Sequence, residues 1–388
     1  MIGEAKSGPL SGIQVIELAG IGPAPFAGMM LADMGADVIR VDRAEQAASG
    51  ATRLTHRVLD RGRRSIALNL KDPRAVDVVL SLVADADVLL EGFRPGVTER
   101  LGLGPGIVLA ANPRLVYGRM TGWGQDGPRA ATAGHDIAYI AVTGALEPIA
   151  GSCGEPVPPL NMLGDFGGGG MTMAFGIAAA LVHAQRTGQG QVVDAAIVDG
   201  TALFTGMLHA MRATGSWNPA RGHNVVDGGA PYYRTFETSD GKWMAVGAVE
   251  PQFFAELVRG LGLDADLPVA VQQDRSSWPH QHRLIADAFA RRTRDEWVAV
   301  FEGTDACVAP VLSPVEAASD PHMMARGSFR DYDGVLHPAP APRLSATPWA
   351  WPGSAPMIGE HTREILEMTG RTADEIDGLF ASGTAVQR

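Results

Sequence analysis

The strongest constraint on the fold is an alternation of short apolar runs with helical segments over roughly the first 120 residues. The apolar runs have the length and composition of buried strands, and they lie at Gln14–Leu18, Ala36–Val41, Ser65–Leu70, Asp87–Glu91 and Leu115–Met120. Helical spacing occurs between them at Phe26–Met34 and Arg74–Ala84, and the second helix has an N-cap, Asp72, followed by Pro73. Strands that alternate with helices form a parallel sheet, so the sequence predicts an α/β fold with a large Rossmann-like domain.

The rest of the chain predicts further helices and a second group of strands. Long helices are expected at 167–187 and 194–214. The later strands and helices are predicted at Tyr233–Thr238, Trp243–Ala248, Pro251–Leu261 and Arg294–Glu302, with tail helices at Thr362–Met368 and Ala373–Phe380. Pro338–Pro352 contains five prolines and predicts an extended segment.

These elements predict two domains that are connected twice. The large domain is expected to comprise residues 1–214 and 339–388, and the smaller α+β domain residues 232–322. A segment rich in Gly, Asn and Pro at 215–231 is the predicted linker, and 323–338 is the predicted return linker.

The acidic composition and the scarcity of cysteine exclude several functions. The formal net charge is −11, whereas binding to nucleic acid phosphates needs a basic face. The two cysteines, Cys153 and Cys307, are too few for a disulfide framework and suit a reducing compartment. The longest apolar run, Met171–Val182, is about half of the ~20 residues of a membrane span. We therefore expect a soluble cytoplasmic protein that binds neither nucleic acid nor membranes.

A glycine-containing turn, Gly-Ile-Gly-Pro-Ala-Pro at 20–25, follows the first predicted strand. Pro25 stands where a dinucleotide-binding fingerprint needs a third glycine, so NAD binding is disfavoured although Asp42 ends the next strand. The sequence has no Gly-x-x-x-x-Gly-Lys-Ser/Thr loop, which disfavours nucleoside triphosphate hydrolysis. Arg43 is more informative, because a guanidinium at this position can bind a nucleotide phosphate or stack on adenine.

Basic residues recur beside the predicted strands of this acidic chain, at Arg43, Arg61, Arg63, Arg64, Lys71, Arg94 and Arg100. The carboxyl ends of parallel strands lie at one edge of a sheet, where ligands bind. One interpretation is therefore a site for a phosphate-rich ligand at that edge. The alternative is a set of unrelated arginines in solvent, and the pattern alone does not choose between the two.

Three residues are candidates for proton transfer or nucleophilic chemistry. His135 lies between Gly134 and Asp136; a lone histidine is more often structural than catalytic, and in a helix Asp136 would point about 100° away from it. Asp165 precedes four glycines and a predicted helix, so it is either an N-cap or part of a site where helical N–H groups meet a negative oxygen. Glu250 ends a predicted strand, and it is either the first acid of a helix terminus or a partner of a catalytic group.

Several longer strings resemble one known family over nearly the whole chain. They are Gly8–Gly12, Glu17–Pro23, Arg94–Pro105, Arg119–Gln125, Gly134–Asp136, Gly164–Gly169 and Gly228–Tyr233. Together they are similar to the α-methylacyl-CoA racemases of the family III CoA-transferase superfamily. The resemblance implies an interlocked dimer in which the active site lies between the large, CoA-binding domain of one chain and the small domain of the other.

The same resemblance assigns roles to individual residues. It makes His135 and Asp165 the two acid/base groups, with Glu250 as the hydrogen-bond partner of the histidine. It also places the backbone N–H of Asp136 on the thioester oxygen. The implied CoA contacts are Ile21, Arg43, Lys71, Arg94, Arg100 and Tyr139. No separate cofactor is expected, because the thioester substrate itself carries CoA.

Proton chemistry agrees with these assignments. Inversion of a stereocentre by proton transfer needs two bases on opposite faces of one carbon, and a neutral imidazole with a carboxylic acid supplies one direction. The main alternative is CoA transfer, in which Asp165 forms an anhydride with the acyl group and His135 is not needed. A third possibility is a CoA-binding protein without catalysis.

The methionines near these motifs have two interpretations. Met162, Met171, Met173 and Met207 are candidates for an adaptable surface that binds the acyl chain, because thioethers adjust to varied shapes. They are equally typical of an ordinary apolar core.

Overall fold

The structure is a computed structural model that describes residues 7–50, 56–150, 154–332 and 334–388; Cys153 lies outside these ranges. The strands are β1 Gln14–Leu18, β2 Asp37–Arg43, β3 Arg63–Leu68, β4 Val88–Glu91, β5 Val116–Thr121, β6 Gln191–Ala196, β7 Tyr233–Glu237, β8 Trp243–Gly247, β9 Val308–Pro310, β10 Phe329–Tyr332, β11 Val335–Pro338 and β12 Ala385–Val386. The helices are α1 Pro23–Asp33, α2 Ala44–Ser49, α3 His56–Leu59, α4 Pro73–Asp85, α5 Val97–Arg100, α6 Pro105–Ala111, α7 Asp136–Val142, α8 Thr172–Thr187, α9 Ile197–Phe204, α10 Gly206–Ala213, α11 Pro251–Leu261, α12 Trp278–Phe289, α13 Arg294–Phe301, α14 Pro314–Ala317, α15 Pro321–Ala325, α16 Thr362–Met368 and α17 Ala373–Ala381. Two π-helical segments, Met162–Met171 and Val225–Gly229, and a 3₁₀ turn, Val269–Val271, complete the regular structure of the described residues.

The chain divides into two compact units. The first comprises Met1–Thr143, Pro159–Phe204 and Gly327–Arg388, and the second comprises Gly144–Pro158 and Thr205–Arg326. Residues 144–158 and 205–214, which the sequence assigns to the large domain, therefore group with the second unit.

A parallel sheet forms the centre of the first unit. Its seven strands in the described residues have the order β12-β3-β2-β1-β4-β5-β6, and β1 to β6 are parallel. The chain proceeds outward from β1 to β3 and then restarts on the other side of β1 with β4. The switch point of the sheet, where open α/β sheets bind ligands, therefore lies between β1 and β4.

Burial on both faces explains why the strands are almost continuously apolar. On one face Ile16 and Ile39 lie in a core cluster with α4, and on the other Val15 and Val38 lie in a cluster with α1 and α8. The five strands predicted in this part of the chain are confirmed, with their ends shifted by no more than two residues. The predicted cap of α4 is also confirmed, because the Asp72 side chain accepts a hydrogen bond from the N–H of Arg74.

The predicted helix at 194–214 is wrong in its first part. β6 occupies Gln191–Ala196 and pairs with β5 along its whole length. The helical part begins only at Ile197, and it is divided into α9 and α10 at Thr205. The segment of β6 is partly exposed, contains Asp194 between apolar residues and has no clear period of its own, and pairing with β5 makes it a strand.

The C-terminal tail is part of the large sheet. β12 pairs antiparallel with β3, with Ala385 opposite Leu68. Apolar residues of α16 and α17, such as Ile365 and Leu379, join the core cluster that contains α4. The tail therefore covers a sheet edge that would otherwise be open to pairing with another strand.

The second unit has its own core around an antiparallel sheet. The strand order is β7-β8-β9, and the helices α11, α12 and α13 contribute aromatic side chains to its core. Phe289 stacks on Phe236 with ring centroids 5.3 Å apart and meets the edge of Trp297 at 5.2 Å. The helix predicted at Pro251–Leu261 is confirmed at both ends.

One continuous helix, Met162–Thr187, is long and apolar enough to cross a membrane, with 26 residues and a mean hydropathy of 1.3. Length and composition are weak evidence, because a core helix of a soluble protein has them as well. In this protein 44% of the apolar window is buried, and Met173 and Ile177 lie in the core with β5. We interpret the segment as the core helix of a soluble α/β protein.

Candidate active site

Loops that follow neighbouring strands meet at the switch point of the sheet. A Cβ atom added to Gly92, after β4, would lie 3.0 Å from the Cβ atom of Ala24 in α1. Gly22, after β1, has a φ of 69°, and a Cβ atom added to it would lie 3.5 Å from Oδ2 of Asp165. Glycine suits position 22 because side chains disfavour a positive φ. The turn after β1 therefore lies directly against the carboxyl group of Asp165.

The glycine run beyond Asp165 is explained by helix packing. Cβ atoms added to Gly169 and Gly170 would lie 3.0 Å from Cβ of Pro23 and 2.5 Å from Cδ1 of Phe26, both in α1. These contacts are with the protein itself, so they do not test the interpretation in which helical N–H groups near Asp165 meet a negative oxygen. The small size of the two glycines brings the helix that carries Asp165 close to the turn after β1.

Replacing Gly170 with alanine is expected to lower the free energy of unfolding by about 1–3 kcal/mol, because the new methyl group overlaps α1. Urea unfolding of this variant measures the loss. Gly378→Ala is the control and is expected to be tolerated, because a Cβ atom at position 378 would have open space around it. Gly188 is unsuitable as a control because its φ is 73°. Equal stability of Gly170→Ala and the unmodified protein would contradict the packing explanation.

Asp165 lies inside a helix and does not begin one. The N-cap interpretation is wrong, because the π-helical segment starts at Met162 and continues through Asp165 into α8. Such wide turns in helices are frequent at functional sites. The side chain of Asp165 accepts a hydrogen bond from Nδ2 of Asn161, one helical turn earlier, at 3.2 Å.

The environment of Asp165 favours its protonated form. Burial raises the pKa of the Asp165 carboxyl, and the nearby Asp136 carboxylate raises it further. The hydrogen bond from Asn161 and the charge of His135 act in the opposite direction, and the net pKa is raised. Asp165 is therefore well suited to hold a proton and to release it.

Asp136 connects the segment of His135 to that of Asp165. Its buried carboxylate accepts a hydrogen bond from the backbone N–H of Asp165, with 2.6 Å between Oδ2 and N. His135 precedes α7 in an extended conformation, and its exposed imidazole makes no capping hydrogen bond. Within the described ranges the backbone N–H of Asp136 has no hydrogen-bond acceptor. The structure thus leaves an imidazole, a carboxyl group and an unpaired backbone donor in one place.

Tyr139 and Arg94 border the same region. The Tyr139 ring meets the edge of Trp123 with centroids 4.8 Å apart and occupies the space beside Gly122 and Gly134. Burial and the Asp165 carboxylate raise the pKa of the Tyr139 phenol, and the charge of Arg94 lowers it. Arg94, Trp123 and Tyr139 line a pocket of about 140 Å³ together with Gly92, Phe93, Pro95, Met120, Thr121, Gly122, Ala130, Thr132, Ala133 and Gly134.

The other predicted CoA contacts lie at the carboxyl edge of the sheet. Ile21 follows β1 and is 78% exposed. Arg43 ends β2, and its Nη1 lies 3.8 Å from Oε1 of Glu45. Lys71 follows β3, and Arg100 ends α5 after β4; both are exposed. These cations lie at or after the ends of β2, β3 and β4, which with β1 are four consecutive strands of the sheet, and they form a surface that suits phosphate groups.

Arg61, Arg63 and Arg64 do not belong to that surface, and the prediction that places them there is wrong. They lie at the start of β3, the opposite edge of the sheet from Lys71. Arg61 binds Asp33 with 2.6 Å between Nη2 and Oδ2, and Arg63 binds Glu17 with 2.7 Å between Nε and Oε2. These buried pairs, together with the contact between Arg64 and Asp37, hold α1 and the neighbouring strands together. They are structural.

Glu250 lies in the second unit as the N-cap residue of α11, three residues after the end of β8. Its side chain is exposed and makes no capping hydrogen bond. Its carboxylate acts on Cys307, a free thiol whose pKa is raised by burial and by the charges of Glu250 and Asp305. The first unit therefore brings together His135, Asp136, Asp165 and Tyr139, and Glu250 belongs to the other unit.

Two parts of this site are not predicted by the sequence. Asn161 is the hydrogen-bond donor to Asp165, and the spacing of four residues within a helix was the available signal. The contact between the Asp136 side chain and the backbone of Asp165 spans 29 residues and has no local signal.

The fold is that of an α/β protein whose candidate site lies at the switch point of a parallel sheet, and comparison with known families agrees on this fold class. The family model described as CoA-transferase family III matches residues 10–362. The chain belongs to this family.

Known proteins within this similarity carry two different activities in their names. The chain is 48% identical over 371 residues to the human alpha-methylacyl-CoA racemase, with 95% of both chains covered. It is 33% identical to the succinyl-CoA–D-citramalate CoA-transferase of Chloroflexus aurantiacus, with 96% of this chain and 97% of that protein covered. The crystal structure of a CAIB/BAIF family protein from Brucella suis superposes with a TM-score of 0.81 at 26% identity, covering 94% of this chain and all of that one.

Proposed function

We propose that this protein is an α-methylacyl-CoA racemase, an isomerase that interconverts (R)- and (S)-2-methylacyl-CoA thioesters. The observation that carries the proposal is the hydrogen bond between the Asp136 carboxylate and the backbone of Asp165. It fixes the loop of His135 beside the helix of Asp165, so that two groups able to hold a proton share one site. The similarity to a mammalian racemase over 95% of the chain supports the same activity.

The chemistry is a transfer of the α-proton through an enolate. One group removes the proton from the carbon beside the thioester carbonyl, and the other group delivers a proton to the opposite face. In one direction His135 is the base and protonated Asp165 the acid, and in the other direction the Asp165 carboxylate is the base and the His135 imidazolium the acid. The raised pKa of Asp165 supports this role, because it brings the carboxyl closer to the pKa of an imidazole.

The negative charge of the enolate needs a fixed hydrogen-bond donor. We infer that the backbone N–H of Asp136 supplies it, since this group has no acceptor in the described part of the chain. A preorganised donor of this kind stabilises the oxyanion without reorganisation during the reaction. The Asp136 side chain contributes separately, because it holds the Asp165 backbone in place.

The CoA part of the substrate is assigned to the carboxyl edge of the sheet. Arg43, Lys71, Arg94 and Arg100 supply positive charge for its phosphates, and Ile21 and Tyr139 supply apolar surface. Exposed methionines support the proposed acyl surface at Met162 and Met171, whose side chains are 64% and 53% exposed. Met173 is not part of this acyl surface, since it is fully buried in the core. We propose no further cofactor.

The active protein is proposed to be an interlocked homodimer, with the site between the large domain of one chain and the small domain of the other and Glu250 as the partner of His135. Exposed apolar side chains of the first unit support association: Phe175 and Leu203 are 76% and 74% exposed. Surfaces of this kind are typical of protein interfaces. We propose a cytoplasmic location, which suits the free thiol of Cys307.

CoA transfer is the alternative function, with Asp165 as the nucleophile that forms an acyl anhydride. The similarity to a CoA-transferase at 33% identity supports this alternative.

Proton exchange in the absence of a carboxylate acceptor distinguishes the racemase from the transferase. The protein is incubated with a 2-methylacyl-CoA in deuterated buffer without any carboxylate, and the α-proton is followed by NMR. Loss of the α-proton with formation of the other epimer is the expected result. No exchange, with CoA transfer after a free carboxylate is added, would establish the transferase.

A further inference from the structure

A hydroxyl group of the C-terminal tail contacts the loop that carries Lys71. Thr384, which is fully buried, donates a hydrogen bond from Oγ1 to Oδ2 of Asp72 at 2.6 Å. Its carbonyl oxygen accepts a second hydrogen bond, from the backbone N–H of Asn69, at 2.8 Å. The loop 69–72 after β3 is therefore attached to the tail at both of its ends.

Hydrogen bonds inside the loop transmit this attachment to Lys71. The side chain of Asn69 accepts a hydrogen bond from the N–H of Lys71 at 3.3 Å, and its carbonyl accepts one from the N–H of Asp72 at 2.9 Å. Since Asn69 and Asp72, which lie on either side of Lys71, are both held by Thr384, the backbone of Lys71 has little freedom. A cation on a fixed backbone binds an anion with less loss of entropy than one on a mobile loop.

The tail also controls the charge next to Lys71. Asp72 is the adjacent residue, and its carboxylate is occupied by Arg74, with 2.6 Å between Nη2 and Oδ2, and by Thr384. Hydrogen bonds from these two side chains lower the pKa of Asp72, so the group stays ionised. The ammonium group of Lys71 has no ion pair within the described residues. The carboxylate is thus held on the side of Arg74, and the lysine is left free for a phosphate.

We propose that Thr384 is a positioning residue for the binding of acyl-CoA, acting through Asp72 and the loop 69–72 on Lys71. The C-terminal tail is then part of the substrate-binding machinery as well as the cover of a sheet edge. The inference rests on the proposed function, in which Lys71 binds a phosphate of CoA.

Thr384→Val removes the hydroxyl and keeps the shape of the side chain, and it is expected to raise the KM for a 2-methylacyl-CoA roughly three- to tenfold with little change in kcat. Thr384→Ser should restore the KM. Thr369→Val is the matched control, because the Thr369 hydroxyl lies in the same tail and, within the part of the chain that the structure describes, has hydrogen bonds only with Leu366 and Arg371. An acyl thioester of N-acetylcysteamine, which lacks the nucleotide, should react equally with the Thr384→Val variant and the unmodified protein.

Lys71→Ala separates the inference from the function on which it rests. We expect Lys71→Ala to raise the KM for acyl-CoA. Adding Thr384→Val to this variant should raise the KM no further, because Thr384 acts through Lys71. Two results would overturn the positioning role. One is a double variant whose rise in KM is the product of the rises in the two single variants. The other is a Thr384→Val variant that loses as much activity with the N-acetylcysteamine thioester as with acyl-CoA. An unchanged KM in Lys71→Ala would overturn instead the proposed phosphate contact of Lys71, whatever the result for Thr384.

Discussion

Replacing His135 with alanine is expected to slow the inversion of 2-methylacyl-CoA about a thousandfold, equivalent to roughly 4 kcal/mol in the activation barrier. The imidazole is exposed and makes no capping hydrogen bond, so its removal leaves the fold intact. The loss should fall on kcat, because the histidine acts on the α-carbon and not on the CoA moiety. Chiral separation of the two epimers after incubation measures the rate.

The matched control is His183→Ala, which removes an exposed histidine from α8 in the same unit. It should retain the full rate. A His135→Ala variant that inverts the substrate within tenfold of the unmodified rate would exclude His135 as one of the two bases.

Replacing Asp165 with asparagine is expected to produce a loss of similar size, on the order of a thousandfold in kcat. Asparagine keeps the size of the side chain and an oxygen that can accept the hydrogen bond from Asn161, but it cannot transfer a proton. The same variant would also abolish CoA transfer, so the assay has to follow inversion without a carboxylate acceptor. Asp85→Asn, at the exposed end of α4, is the control that should have no effect.

The Asp165→Asn variant is also expected to be more stable than the unmodified protein at pH 7, by roughly 1–3 °C in Tm. The folded protein raises the pKa of Asp165, so ionisation of this group opposes folding. This destabilisation is absent at pH 3, where the carboxyl is protonated in the folded and the unfolded state. It reaches its full size once the pH exceeds the raised pKa of the folded state. The difference in Tm should therefore vanish on acidification. A variant less stable at pH 7 would contradict the raised pKa.

Local sequence patterns predict the central strands of the sheet but not its two edge strands, β6 and β12. The alternation of apolar runs and helices identifies β1 to β5, because each strand is buried on both faces. β6 lies at an edge with exposed residues, and β12 is only two residues long, so neither has a distinctive period. Their positions follow from pairing with β5 and β3, which are distant in sequence.

The site, like the sheet, has features that the local sequence predicts and features that depend on contacts between distant segments of the chain. The resemblance assigns Lys71, Arg94 and Tyr139 to CoA binding. The structure places Lys71 after β3, at the carboxyl edge of the sheet, and Arg94 and Tyr139 in the lining of the pocket. Proximity to a strand was misleading for Arg61 and Arg63, because a residue at the start of a parallel strand lies at the opposite edge. The contact between Asp136 and Asp165 joins two segments through a backbone group, which no residue pattern reports.

The two-base mechanism is tested most directly by α-proton exchange in the two variants, each with pure (R) and pure (S) substrate in deuterated buffer. A single remaining base still removes the proton from the face that it serves and returns deuterium to the same face. We expect the His135→Ala variant to exchange the α-proton of one epimer without inversion, and the Asp165→Asn variant to exchange that of the other epimer only. Exchange of the same epimer by both variants, or inversion by either at the unmodified rate, would contradict a racemase that uses these residues on opposite faces.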